Sequence, residues 1–124
     1  MNPFCWHDLA AADAPAALGF YSAVFGWSAE VRQANGGHFF RLRSGASDVG
    51  SLYQLSNRQL DAGAPSHWTS YVCVDDAQAT TRRVQAAGGR IVVAPFAVDG
   101  AATIALVADP HGALLGLWQE PRHA

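Results

Sequence analysis

The sequence predicts an α+β domain built from two copies of one βαβββ module, and three observations support this fold class. In each half of the chain, an aspartate that can cap a helix is followed at the same distance by a glycine that can end it: Asp13 by Gly26, and Asp76 by Gly89. Strand-like runs flank both of these segments. The two halves also end on matching tripeptides, Leu52-Tyr53-Gln54 and Leu117-Trp118-Gln119.

The first half contains the elements of one module in order. Residues 4–10 have the pattern of a strand, and a helix with an early proline is expected from about Ala14 to Phe25. Three strands follow, at 29–34, 38–43 and 49–55, with an Asn35-Gly36 hairpin turn after the first of them. Apolar residues at three- and four-residue spacing predict which face of the helix packs on the sheet. They are Ala17, Phe20, Tyr21, Val24 and Phe25.

The second half repeats this order after a segment of linker composition. A strand is expected at 68–74, then a helix that Asp75 or Asp76 can cap and that ends at Gly88-Gly89. The last three strands are expected at 90–94, 102–108 and 113–119. We therefore expect a single domain over residues 1–124, with module 1 at about 3–56, a linker at about 57–66 and module 2 at about 67–120. The modules would form a curled mixed sheet, or half-barrel, around a cleft, with the helices on the outside.

Composition and charge exclude several classes of partner. Of the 124 residues, 50% are hydrophobic and 15% are charged, as in a globular domain without a disordered tail. The formal net charge is −2, and the basic residues are scattered, so neither nucleic acid nor a membrane surface is an expected partner. No signal peptide or membrane span is visible, and we expect a cytoplasmic protein. Cys5 and Cys73 lack C-x-x-C spacing and are expected to be buried apolar residues rather than a redox pair.

Four segments, in this order, carry a resemblance to a known superfamily. They are Trp6-His7-Asp8-Leu9, Phe20-Tyr21-x-x-Val24-Phe25-Gly26-Trp27, Ala87-Gly88-Gly89 and Asp109-Pro110-x-Gly112-Ala113-x-x-Gly116-Leu117-Trp118-Gln119. Together they resemble the vicinal oxygen chelate superfamily of glyoxalases, bleomycin-resistance proteins and extradiol dioxygenases, in particular its small glyoxalase-like members. The resemblance covers nearly the whole chain. It implies the fold but not one function, because the superfamily includes metal-dependent enzymes as well as antibiotic-binding proteins without a catalytic metal.

The resemblance also implies where a metal would bind. In metal-using members, four strand positions, two per module, supply His, Glu or Gln to a divalent ion. Here those positions fall on Trp6, Ser51, Thr69 and Gly116. Indole is only a donor, glycine has no side chain and neutral hydroxyls are weak ligands, so no metal cofactor is predicted. A one-residue shift would bring His7 to the first position, but it would also turn over the apolar set of the whole strand.

The cleft is expected to be lined by aromatic side chains and one carboxylate. Strand alternation gives these residues the same parity as the four ligand positions. The predicted ligand-binding residues are Trp6, Asp8, Tyr53, His67, Tyr71 and Trp118. Such a lining suits a flat or apolar molecule that a few polar groups orient. The alternative is that the rings only fill the space of the missing metal.

Asp8 is the candidate catalytic residue, because an acid in an apolar cleft has a raised pKa and can act as a general base. Alternatively, Arg41 or Arg43 pairs with it and the pair is structural. The remaining histidines are His38, His111 and His123, which we expect to be solvated.

Three functions are therefore open. The first is metal-free binding of a small organic molecule, as in bleomycin-resistance proteins. The second is an enzyme of the lyase or dioxygenase type that uses Asp8, or a metal held by an unusual set such as His7 and His67. The third is an accessory or dimerisation module whose cleft is filled. Apolar strands at an open sheet edge also predict a homodimer. The family resemblance implies the same, because family members of this length usually pair.

Overall fold

The computed structural model describes residues 2–34, 37–98 and 102–121, and both predicted βαβββ modules are present in it. In chain order the elements are β1 (Phe4–Ala11), α1 (Ala14–Phe25), β2 (Ser28–Ala34), β3 (Gly37–Ser44), β4 (Ser47–Gln54), α2 (Asn57–Asp61), β5 (His67–Cys73), α3 (Ala77–Ala86), β6 (Arg90–Val98), β7 (Ala102–Ala108) and β8 (Leu114–Gln119). The predicted α+β class is confirmed. The short helix α2 falls in the segment of linker composition, and the predicted Asn35-Gly36 turn lies outside the described residues. No helix in the described ranges is long and apolar enough to cross a membrane.

The chain forms two compact units. The N-terminal unit is His7–Trp68, and the C-terminal unit combines Met1–Trp6 with Thr69–Ala124. Strands of the N-terminal unit follow the order β2-β3-β4-β1, and those of the C-terminal unit the order β5-β8-β7-β6. In each unit the first strand of the module pairs with its last strand in parallel, while the other neighbours are antiparallel. Each unit therefore contains a mixed sheet with the same connectivity.

Both main helices begin in the same way. The Asp13 carboxylate accepts a hydrogen bond from the Ala16 N–H at 3.0 Å, as the sequence predicted, and the side chain of Gln54 at the end of β4 accepts one from the Ala14 N–H at 2.8 Å. Helix α3 repeats both bonds. The Ala79 N–H donates to the Asp76 carboxylate at 3.0 Å, and the Ala77 N–H donates to the Gln119 side chain at 2.8 Å. The match between the two tripeptides therefore has a structural reason. In each module, the glutamine side chain at the end of the last strand hydrogen-bonds the first residue of the helix.

Each unit has its hydrophobic core between its helix and its sheet. In the N-terminal unit this core contains Leu9, Ala11, Ala14, Leu42 and Leu52. In the C-terminal unit it contains Val74, Ala77, Ala105, Val107 and Leu117. Residues that alternate with these along the strands point to the opposite face of each sheet.

The predicted apolar face of α1 is wrong in part. Ala17 and Tyr21 pack on the core, but Phe20, Val24 and Phe25 are 58%, 54% and 59% exposed. The helix, APAALGFYSAVF, has apolar residues on nearly all sides, so hydrophobic spacing could not select the buried face. The face that packs on the core instead consists of Ala14, Ala17, Leu18 and Tyr21.

Candidate ligand-binding site

Three predicted ligand-binding residues meet in the C-terminal unit, on the sheet face opposite α3. The ring centroids of Trp6 and Trp118 are 5.5 Å apart, and Tyr71 meets Trp118 edge to face at 5.8 Å. Trp6 and Trp118 are half-buried, whereas Tyr71 is only 4% exposed. These three residues are called the ring cluster. It presents aromatic surface that can pack against a flat molecule.

Gly116 lies directly under this cluster. It pairs with Tyr71 across β5 and β8, and a Cβ placed on Gly116 would overlap the Tyr71 ring. The ring can lie there only because position 116 has no side chain. The strand position that the family resemblance assigns to a metal ligand is thus covered by an aromatic ring.

The N-terminal unit has a polar group on the sheet face opposite α1. Asp8 of β1 is in register with Ser51 of β4, which is in register with Arg41 of β3. Tyr53 follows on the same face of β4. Ser51 is buried, and Asp8, Arg41 and Tyr53 are half-buried, so the group is partly removed from water. Asp8, Ser51, Arg41 and Tyr53 are called the polar row.

Two features show how desolvated the polar row is. The Oδ1 atom of Asp8 is buried. Burial and, secondarily, the negative charge of Asp8 raise the pKa of Tyr53 from 10.0 to about 12. The phenol therefore stays protonated at neutral pH and can donate a hydrogen bond, while the carboxylate beside it can only accept one when ionised.

Both arginines that the sequence offered to Asp8 contact another acid. Arg43 pairs with the Asp48 carboxylate at 2.8 Å, and the Nε atom of Arg41 lies 3.9 Å from the same oxygen. A register shift between Leu42 and Arg43 brings Asp48 opposite Arg43. The sequence named Arg41 only as an ion-pair partner. Its place in the polar row could be found only once the register of β3 against β4 was known.

Four of the five histidines lie in the part of the chain that the structure describes. His67 begins β5, and its Nδ1 atom lies 2.8 Å from the Pro65 carbonyl oxygen. His7, His38 and His111 are exposed, and His123 lies outside the described residues. Across residues 2–34, 37–98 and 102–121, no three His, Cys, Asp or Glu side chains are grouped so that they could hold a metal ion. Thr69, the remaining position assigned by resemblance, is half-buried on β5.

The prediction that both cysteines are buried is wrong for Cys5, which is exposed, while Cys73 is half-buried. Partial burial and a hydrogen bond with Cys73 raise the pKa of the Cys5 thiol to about 12. The two thiols are therefore neighbours. The backbone brings them together, because the Cys73 N–H donates a hydrogen bond to the carbonyl oxygen of Pro3, the residue before β1. A thiol with such a pKa is protonated at neutral pH and is a weak nucleophile.

Sequence reasoning missed an apolar cavity of about 290 Å³ on the helix side of the C-terminal unit. Its lining includes Val84, Ala87, Gly89, Val107, Pro110 and Leu114. In the N-terminal unit, the helix side carries stacked rings instead: Tyr21 lies on Trp27 at 5.5 Å, and the Trp68 indole donates to the Tyr21 hydroxyl at 3.1 Å. The sequence contained one signal for this cavity: at the same distance from the capping aspartate, α1 has the large Tyr21 and α3 has the smaller Val84.

Comparison with known proteins agrees with this architecture. A family model described as the Glyoxalase/Bleomycin resistance protein/Dioxygenase superfamily matches residues 5–117. The chain is 34% identical over 128 residues to the anthracycline biosynthesis protein DnrV of Streptomyces peucetius, covering 93% of this chain and 46% of DnrV. It is 31% identical over 128 residues to the putative glyoxylase CFP32 of Mycobacterium bovis, covering 95% of this chain and 46% of that protein. The chain thus spans less than half the length of these relatives.

A solved structure shares the fold. The crystal structure of hypothetical protein BH1468 from Bacillus halodurans C-125 superposes with a TM-score of 0.71 at 15% identity, covering 99% of this chain and 97% of that one. The paired βαβββ modules and the family match over residues 5–117 lead to the same assignment. The chain belongs to the glyoxalase/bleomycin resistance protein/dioxygenase superfamily.

Proposed function

We propose that this chain binds a small organic molecule with a planar, apolar part, and that it does so without the metal set of the metal-dependent family members. The observation that carries the proposal is the Tyr71 ring over Gly116, packed against Trp118. The proposed ligand-binding residues are those predicted from the sequence: Trp6, Asp8, Tyr53, His67, Tyr71 and Trp118. The cytoplasmic location and the homodimer belong to the same proposal.

The chemistry of the four assigned positions does not fit a divalent metal. Trp6 offers an N–H donor, Gly116 offers no atom, and Ser51 and Thr69 offer neutral hydroxyls. The ring cluster offers a different kind of interaction, because aromatic faces bury a large area with little loss of conformational freedom. In the N-terminal unit, Asp8 and Tyr53 offer an acceptor and a donor for polar groups of a ligand.

The relative DnrV indicates which ligand to test first. Its name places it in anthracycline biosynthesis, and an anthracycline is a planar fused-ring compound. Such a molecule has the shape that stacking on Trp6 and Trp118 favours. We therefore propose a polycyclic aromatic compound as the ligand class.

Equilibrium dialysis of the purified chain against an anthracycline tests this proposal. We expect saturable binding with one site per chain, and Trp118→Leu should weaken it by about tenfold, the equivalent of about 1.4 kcal/mol. Trp68→Leu is the matched control, because it removes an indole from the helix side of the N-terminal unit and should leave binding unchanged. Equal losses in both variants, or no binding by the wild-type chain, would contradict the proposal.

Intact masses of the untagged protein, purified without chelator and measured under native and denaturing conditions, test the metal-free part. A native mass free of any divalent ion agrees with the proposal, and a retained organic compound would identify the ligand directly. An excess near one divalent ion per chain would overturn this part.

The buried Oδ1 of Asp8 favours a second candidate, an enzyme that uses Asp8 as a general base. Mass spectrometry of the bound compound after incubation would show conversion. Asp8→Asn should then abolish conversion and leave binding within about twofold of wild type, whereas Trp68→Leu should preserve both. Conversion that survives Asp8→Asn would eliminate this candidate.

A further inference from the structure

The two cysteines of the chain meet in the C-terminal unit. About half of the chain separates them in sequence, yet the Cys5 thiol shares a hydrogen bond with the Cys73 thiol. Both belong to the same compact unit, because Met1–Trp6 lies with Thr69–Ala124. Thiols in such contact are close enough for a disulfide to form after a small adjustment of the side chains.

The internal repeat does not account for this contact. The spacing between the two capping aspartates places Trp68 at the position that matches Cys5, and Ala10 at the position that matches Cys73. Neither cysteine is among the residues that form the hydrophobic core of the C-terminal unit. The thiol pair is therefore a feature of this unit alone, and the common fold of the two units does not depend on it.

The two thiols differ in their access to solvent. Cys5 is exposed, whereas Cys73 is half-buried. A small disulfide in solution can therefore reach the Cys5 sulfur first, and the Cys73 thiol lies beside it to complete the reaction. An accessible thiol with a resolving thiol at its side is the arrangement of redox-active cysteine pairs.

We propose that Cys5 and Cys73 form a reversible disulfide by exchange with a low-molecular-weight disulfide. In the first step, the Cys5 thiolate attacks one sulfur of the small disulfide, a mixed disulfide forms and one small thiol leaves. In the second step, the Cys73 thiolate attacks the Cys5 sulfur of the mixed disulfide, and the second small thiol leaves. The cysteine pair thus gives two electrons to the small disulfide, and the two protons of the cysteines go to the released thiols.

The disulfide would fix the beginning of β1 to the end of β5. The contacts that hold this strand end in the C-terminal unit include the hydrogen bond from the Cys73 N–H to the Pro3 carbonyl at 2.8 Å, and the Trp6 ring at 5.5 Å from Trp118. A covalent bond would close a loop of about 70 residues and so restrict the unfolded chain. Oxidation should therefore stabilise the folded chain and hold Trp6 in the ring cluster.

Incubation of the purified chain with oxidised glutathione at pH 9 tests the proposal. The alkaline pH raises the thiolate fraction of Cys5, whose pKa is about 12. After acid quenching and alkylation of the remaining thiols with iodoacetamide, the intact mass should be that of a chain that has lost two hydrogens and carries neither alkyl groups nor glutathione. Proteolysis should release a peptide pair that joins Cys5 to Cys73, and dithiothreitol should separate it.

Two single variants are the matched controls. Cys73→Ser should stop at a mixed disulfide between Cys5 and glutathione, because the resolving thiol is missing. Cys5→Ser should react with glutathione about tenfold more slowly, because the thiol that remains is half-buried. Circular dichroism should show that both variants are folded.

The melting temperature measures the effect of the disulfide on the fold. The oxidised wild-type chain should melt about 5–15 °C above the reduced chain, whereas oxidised glutathione should raise the melting temperature of Cys73→Ser by no more than about 2 °C. The proposal is overturned if the wild-type chain accumulates only mixed disulfides, if Cys5 links two chains instead, or if closing the disulfide lowers the melting temperature.

Discussion

The two units share the same order and connectivity of elements, but their clusters of packed aromatic rings lie on opposite faces of the sheet. In the N-terminal unit, Tyr21 and Trp27 stack on the helix side, and the other face carries the polar row. In the C-terminal unit, the ring cluster lies on the face opposite α3, and the helix side has an apolar cavity. The capping and helix-fastening bonds are the same in both.

This difference indicates that the residues that specify the fold are separate from those that form the ring cluster and the polar row. Helix caps, the terminal glutamines and the alternating core residues recur in both units, and they determine the elements. The residues that alternate with the core are under no such constraint. They can therefore be polar in one unit and aromatic in the other without changing the sheet.

The largest effect is expected on the free energy of unfolding, when core residues at matching positions of the two units are replaced. Leu52 and Leu117 occupy matching positions in the two cores and are 0% and 3% exposed. Leu52→Ala and Leu117→Ala should each lower the free energy of unfolding by about 2–5 kcal/mol, because each leaves a cavity among packed side chains. Urea unfolding followed by circular dichroism measures both. A loss far below this range in one unit would show that its core is not equivalent to the other.

A smaller effect should distinguish the two opposite faces. Gly116→Ala forces the Tyr71 ring to move, at a cost of about 1–3 kcal/mol. Ser51→Ala, at the matching position of the N-terminal unit, removes one hydroxyl and should cost about 1 kcal/mol or less. Thermal unfolding of the two variants tests the contrast. A neutral Gly116→Ala would mean that the ring does not depend on the missing side chain.

The last effect is confined to alkaline pH and concerns Tyr53, whose counterpart Trp118 does not titrate. The pKa of Tyr53 is raised to about 12 in the folded chain and returns to about 10 on unfolding, so the folded state holds its proton more tightly. The resulting contribution to folding stability is fully present below pH 10 and is lost as the pH rises from 10 through 12. Unfolding at a series of alkaline pH values should therefore show a shallower decline for Tyr53→Phe than for the wild-type chain. Identical slopes would indicate an ordinary pKa for Tyr53.

The sequence predicted every main strand and both long helices because caps, glycines and strand alternation are local signals. The bounds of α1 and of β7 match the prediction residue for residue. It also placed Trp6, Tyr71 and Trp118 on one face, since parity along a strand is local too. Register between strands is not local, so neither the line from Asp8 through Ser51 to Arg41 nor the cover of Gly116 by Tyr71 could be predicted. The prediction of which side of α1 is buried failed in part, because a helix with apolar residues on nearly all sides gives no contrast between a core face and a solvent face.

The boundaries of the two units have a consequence for how the chain could be divided. They fall inside β1, after Trp6, and inside β5, after Trp68, rather than in the segment between the modules. A chain cut at about residue 60 would give two fragments, and each would lack an indole that its unit uses: Trp68 on Tyr21 in one, Trp6 on Trp118 in the other. The fragments would be partners in complementation rather than independent miniature proteins.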